Sequence, residues 1–160
     1  MLGHGAPSPL YGGGAAQPGL WNQLCATGFG GPGCTMPVGW TTPAALLDLM
    51  GNATSATLVA TSGGAWNDFP NAVLTGDDRS LLIDGGQITT GSPVTWTFDG
   101  LANGDYDVYS YAFDAQDSSV FTQVTIDGNA AMSGGPWPGN HTVGITYTLH
   151  QVTVTDGTIE

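Results

Sequence analysis

The chain has 160 residues, enough for one domain that buries about 70% of the surface its unfolded form exposes. One basic residue, Arg79, stands against thirteen acidic ones, for a net charge of −12. That balance argues against nucleic acid and against anionic membrane surfaces, which proteins grip with Lys and Arg, and no apolar run is long enough to insert across a bilayer.

All but one of the acids are Asp, and Glu160 is the exception. Asp favours turns and Glu favours helices, so the bias predicts a loop-rich β protein. Charged residues make up only 9% of the chain, against about 25% in ordinary soluble domains. Thr, Ser, Asn and Gln carry the polar surface instead, and this composition predicts a secreted, extracellular or cell-surface protein.

Residues 1–20 are rich in Gly, Pro and Ala. No basic or apolar leader is visible in Met1–Gly5, so an exported protein is expected here as a mature form or an excised domain. Alone, such an arm is expected to be disordered; order in it would require packing against its own domain or a hold by a neighbouring copy. Trp21-Asn22-Gln23-Leu24 is expected to begin the ordered body, which then runs over 21–160. Cys25 and Cys34 bracket a flexible Gly-rich loop, and a disulfide between them is expected. It would stabilise by about 2–3 kcal/mol in the chain-entropy picture and implies an oxidising compartment.

Residues 44–50 read as a strand, with helix as the alternative because Ala, Leu and Met are good helix formers. Gly51-Asn52 forms a turn and 56–61 a second strand. Residues 62–80 read as loop, and Leu81-Leu82-Ile83 as a short apolar run. Thr95–Phe98 and Tyr106–Phe113 alternate around Asp99–Asp105, which predicts an antiparallel hairpin. Within it, Trp96, Tyr109 and Tyr111 are expected in the core. Further strands are expected over 121–126, 143–149 and 151–155, with a turn at Asp127-Gly128-Asn129. Short strands at this spacing predict an all-β fold, a single antiparallel β-sandwich.

The stretch from Phe98 to Tyr111 resembles the "F-x-G-L-x-x-G-x-Y-D-V/L-Y-x-Y" hairpin of galactose-binding-like jelly-roll domains. These occur in secreted bacterial proteins of the planctomycete and PEP-CTERM-associated type. Pro18–Asn22, Leu81–Asp84 and Tyr147–Thr158 add to the likeness, which spans about residues 18–160. The resemblance implies a jelly-roll fold and export, and no particular activity. In such domains one more strand usually follows the segment matching Val152–Thr158. Here the sequence ends at Glu160, so the body is expected to lack its last strand and to leave a sheet edge open.

Candidate sites follow from residue chemistry. Trp137 in a Gly/Pro loop, Trp66 beside Asn67 and Asp68, and the loop residue His141 are candidates for binding a sugar. Asp77 with Asp78, and Asp114 with Asp117, are candidates for a structural Ca²⁺, which takes hard oxygen ligands. His150 is expected to pack or hydrogen-bond at a strand junction. Asn52-Ala53-Thr54 and Asn140-His141-Thr142 match the glycosylation sequon. No Gly-x-Ser-x-Gly elbow is present, and no carboxylate pair stands out among so many Asp, so no enzyme is expected. Two functions remain. One is a non-catalytic structural subunit that joins copies of itself into a fibre or surface layer, through the arm or an open sheet edge. The other is a carbohydrate-binding module of a larger secreted protein, whose partner is a glycan.

Overall fold

The computed structural model describes residues 6–22, 24–26, 36–38, 43–60, 64–66, 74–82, 86–88, 93 and 95–160. The protein is all-β in character, with one short helix among the described residues. The strands are β1 (Leu24–Ala26), β2 (Met36–Val38), β3 (Ala44–Leu47), β4 (Ala53–Ala60), β5 (Gly64–Trp66), β6 (Gly86–Ile88), β7 (Trp96–Asp99), β8 (Gly104–Ser110), β9 (Phe121–Ile126), β10 (Asn129–Gly134) and β11 (Thr148–Val154). Helix α1 spans Gly76–Leu82. β1 and β2 run parallel, and among the described residues the other strand pairs are antiparallel: β3-β4-β7, β5-β6, β8-β11 and β9-β10.

The strand reading of 44–50 holds in its first half. β3 ends at Leu47, and Asp48 then builds the turn by accepting hydrogen bonds from the Met50 and Asn52 backbone N–H groups at 2.9 and 2.8 Å. β4 starts three residues earlier than expected, at Ala53.

The expected central hairpin does not form. β7 pairs with β4, with Phe98 opposite Leu58, whereas β8 pairs with β11, with Asp107 opposite Gln151. Residues 100–103 therefore carry the chain from one sheet to another. The alternation was read correctly on each strand, but alternation does not name a strand's partner. Trp96 is a further correction: it lies 37% exposed on β7 rather than in the core.

Three more segments differ from expectation. Residues 76–80, read as loop, and Leu81-Leu82 together form α1. The strand expected over 143–149 is a turn. The Thr142 carbonyl accepts from the N–H groups of Ile145 and Thr146 at 3.1 and 2.9 Å, and the Thr146 hydroxyl oxygen accepts from the Thr142 N–H at 2.9 Å. Only from Thr148 does the chain extend, so two expected strands become one. β10 was missed, because Asn-Ala-Ala-Met-Ser-Gly lacks β-branched residues. Its pairing follows from the two-residue Asp127-Gly128 turn, where both residues have positive φ, 49° and 77°, the geometry that matches strand twist.

Along β11 burial alternates strictly, with Thr148, His150, Val152 and Val154 inward. Ile126, Val152, Val154 and Ile159 form the main buried cluster, packed by Phe98, Leu101, Tyr106, Val108 and Val124. Ile159 reaches it because the chain end lies along β7. The Phe98 and Ile159 backbones exchange N–H···O bonds of 2.9 and 3.0 Å, and the Leu101 N–H donates to the Gly157 carbonyl at 3.0 Å. The last residues therefore occupy the β7 edge at Phe98. His150 is buried, and neither ring nitrogen has a partner among the described residues. A second cluster, Leu74 and Leu82, packs with Leu81, Tyr111, Phe113, Ala115 and Trp137.

Candidate functional site

The site is built where the arm meets the body. Residues 6–22 contain one 3-10 turn, Gly13–Ala15, and no strand, since Pro and Gly interrupt every short run. The arm instead satisfies its polar groups on the body. The backbone N–H and the hydroxyl of Ser8 both donate to the Asp77 carboxylate, at 2.8 and 2.9 Å. The Tyr11 hydroxyl donates to Asp78 Oδ1 and meets His141 Nε2. Asp78 Oδ1 and His141 Nε2 are themselves 3.3 Å apart.

One proton assignment satisfies the three atoms that meet here. His141 carries its proton on Nε2 and donates to the phenol oxygen, and the phenol donates to the carboxylate. His141 Nδ1 is buried without a partner among the described residues. Burial pushes the Tyr11 phenol well above its ordinary value, and the bond to Asp78 and that residue's negative charge push it the same way. The hydroxyl therefore keeps its proton while docked. Bonds of this kind, from a hydroxyl to a carboxylate, are about twice as strong as neutral ones.

Glycine lets the arm lie flat beside this cluster. The Gly14 N–H donates to the Tyr111 hydroxyl at 2.7 Å. A Cβ on Gly14 would sit 2.7 Å from the Tyr147 ring, and one on Gly13 2.7 Å from the Tyr111 hydroxyl. Burial also raises the Tyr111 phenol, although its bonds from the arm's backbone oppose the shift. Further along, Trp21 Nε1 donates to the Tyr11 carbonyl at 3.2 Å. The Leu20 N–H donates to the Leu49 carbonyl at 2.8 Å. The Asn22 amide donates to the Leu47 carbonyl at 2.8 Å and accepts from the Leu47 N–H at 2.9 Å. That side chain imitates a peptide unit and closes the outer edge of β3 at this point.

The structure brings four of the expected site residues together. Trp137 stacks edge-on against His141 at 5.9 Å and tilts against Phe113 at 6.2 Å. His141 also meets the Tyr11 and Tyr111 rings, at 5.9 and 5.6 Å. Asp78 bonds to this group, and Asp77 bonds to Ser8 next to it. The two carboxylates thus turn to different partners. Asp114 and Asp117 lie elsewhere, each serving its own loop. Asp114 accepts from the N–H groups of Gln116 and Asp117, and Asp117 accepts from Ser119, whose hydroxyl and N–H hold the Asp117 carboxyl below its usual value. No group of three or more His, Cys, Asp or Glu able to hold a metal occurs among the described residues. The Trp66 side chain and Cys34, and with it the disulfide expected between Cys25 and Cys34, lie outside the described residues.

Sequence reasoning missed Ser8, Tyr11 and Asn22. The available signal was a serine and a tyrosine inside an otherwise Gly-, Pro- and Ala-rich arm, and an asparagine just after it. No described helix is long and apolar enough to cross a membrane. Compared with known protein families, curated proteins and solved structures, the chain matches none.

Proposed function

We propose that this chain is a non-catalytic extracellular structural protein, a jelly-roll β-sandwich of the galactose-binding-like kind, whose copies join by exchanging their N-terminal arms. The observation that carries the reading is the way the arm is held. Its described residues form no core of their own and are fixed by bonds to Asp77, Asp78, His141, Tyr111 and Leu49. A second copy offers the same partners in the same arrangement, which is the condition for domain swapping.

Charge supports the same reading. All thirteen acids lie at Asp48 or beyond, so the arm brings no negative side chain to a body that carries them all. The arm therefore approaches the Asp77-Asp78 pair on another copy without repulsion. Of the two routes to self-association, the arm is favoured over an open sheet edge. Asn22 closes β3 at Leu47, and the chain end covers β7 at Phe98. Electron microscopy and light-scattering mass of the full chain, beside a form lacking residues 1–19, test the proposal. Polymers or oligomers are expected from the full chain and none from the shortened one; assembly that survives the deletion rules out the arm.

A second reading, a carbohydrate-binding module, draws on the convergence of Trp137, His141 and Asp78. It requires monomers that bind a glycan and lose that binding in Trp137→Ala. The half-buried indole, packed on Phe113 and His141, makes a poor open platform and leaves the structural reading ahead.

A further inference from the structure

Exchange alone gains little free energy. An arm docked on a neighbour makes the same bonds that it makes at home, so the exchanged and closed forms cancel term by term. Stable assembly therefore needs a contact that exists only between copies. We infer that this contact is the apolar patch formed by Leu20, Leu49 and Met50, and that its partner is the same patch on a second copy. The inference rests on the arm-exchange reading for the closeness of the two copies.

Position is the first argument. Leu20 lies where the arm crosses the β3–β4 turn: its N–H bonds to the Leu49 carbonyl, and its Cδ1 lies 3.9 Å from where a Gly51 Cβ would stand. Two copies that swap arms must approach each other near the point where each arm leaves its body. Exposure is the second. Met50 is 87% exposed, Leu49 48% and Leu20 37%. Three large apolar side chains are thus exposed around one turn, where single ones are ordinary and need no explanation.

Charge is the third argument. Each copy carries −12 overall, yet residues 1–47 hold no Asp, Glu, Lys or Arg, and 43–60 hold only Asp48. That carboxylate is turned onto its own turn, accepting from Met50, Asn52 and the Asn52 side chain. Two strongly acidic molecules can touch here with the least repulsion. The Asn22 amide also matters, because it occupies the Leu47 backbone groups. The copies then meet through side chains rather than by adding a strand to β3. A patch that meets itself makes a twofold, isologous contact.

The test is light-scattering mass of the full chain against concentration, for the wild type, Met50→Glu, Met50→Lys and an equimolar mixture of the two variants. Met132→Glu, at an exposed site on β10, is the control. Because Met50 is nearly fully exposed, both variants are expected to fold, and circular dichroism checks this. Each variant alone is expected to raise the midpoint of association at least tenfold. The mixture is expected to restore it, because opposite charges then meet across the twofold axis, and the control is expected to behave as wild type. If Met50→Glu associates as tightly as wild type, the patch is not the contact. Should that happen while removal of residues 1–19 abolishes assembly, the arm reading stands and this inference falls. Should the shortened chain still associate and Met50→Glu weaken it, the patch stands and the arm falls. A wild type that stays monomeric at every concentration overturns both.

Discussion

Tyr11 and His141 lie 130 residues apart in the chain and meet through a hydrogen bond between phenol and imidazole, with their rings 5.9 Å apart and nearly edge-on. The same hydroxyl bonds Asp78 on α1. One atom of the arm thus ties together the helix and the loop that follows β10. Removing it in Tyr11→Phe keeps the ring and deletes both bonds. Hydrogen bonds to charged groups contribute about 1.5–3 kcal/mol, so the arm should open roughly tenfold or more often. Limited proteolysis with a protease that cuts within residues 6–22 reads this as faster cleavage of the arm at unchanged stability of the body.

Alkaline pH should release the arm. The Tyr11 phenol is pushed up by burial and by Asp78, and Tyr111 is pushed up by burial. In the released arm Tyr11 returns to about 10. The docked form therefore holds its proton more tightly than the free one. Docking is at full strength below about pH 10 and weakens as the pH rises beyond it, because ionisation then favours the free arm. Arm cleavage followed from pH 8 to 11 should rise at the top of that range, and the rise should shrink in Tyr11→Phe. A flat profile contradicts the docked phenol.

At the other end of the pH scale the β3–β4 turn should loosen. Bonds from the Asn52 side chain and backbone hold the Asp48 carboxyl below its ordinary value. For a lowered carboxyl, the stabilisation is present above the unfolded-state value, about 3.9, and is lost as the pH falls through the folded-state value. Amide exchange at Asn52, corrected for its intrinsic pH dependence, should show less protection there, and Asp48→Ala should show the same loss at neutral pH.

Ile159 should matter far more than its place one residue from the end suggests. It is only 5% exposed and packs with Ile126, Val152 and Val154. Ile159→Ala should cost about 2–5 kcal/mol in urea unfolding. A chain end that merely frayed would show almost no change.

Much of this architecture was legible in the sequence, and the part that was not has a common cause. Local signals were clear: alternation marked β7, β8, β9 and β11, and Gly51-Asn52 and Asp127-Gly128 marked turns. Partnership was not, because a strand's period reports its faces and says nothing of its neighbour. The β7–β8 segment therefore read as a hairpin although each strand pairs elsewhere. Helix α1 was hidden by Asp77-Asp78 and by its brevity. At the site, the body half was visible: Trp137, His141, Asp77 and Asp78 were each singled out, though for separate ligands. Their convergence on Tyr11 depends on bonds spanning 67 and 130 residues, and no local pattern encodes those.

Arm exchange itself is tested most directly by mixing two variants that cannot close on themselves. Ser8→Ala with Tyr11→Phe disables the arm; Asp77→Ala with Asp78→Ala disables its docking site. Alone, each should remain a monomer of about 16.3 kDa. Mixed, the intact arm of the second should dock on the intact site of the first, with no closed form to compete, and light scattering should show one-to-one pairs of twice that mass. A mixture that stays monomeric while the wild type associates contradicts arm exchange.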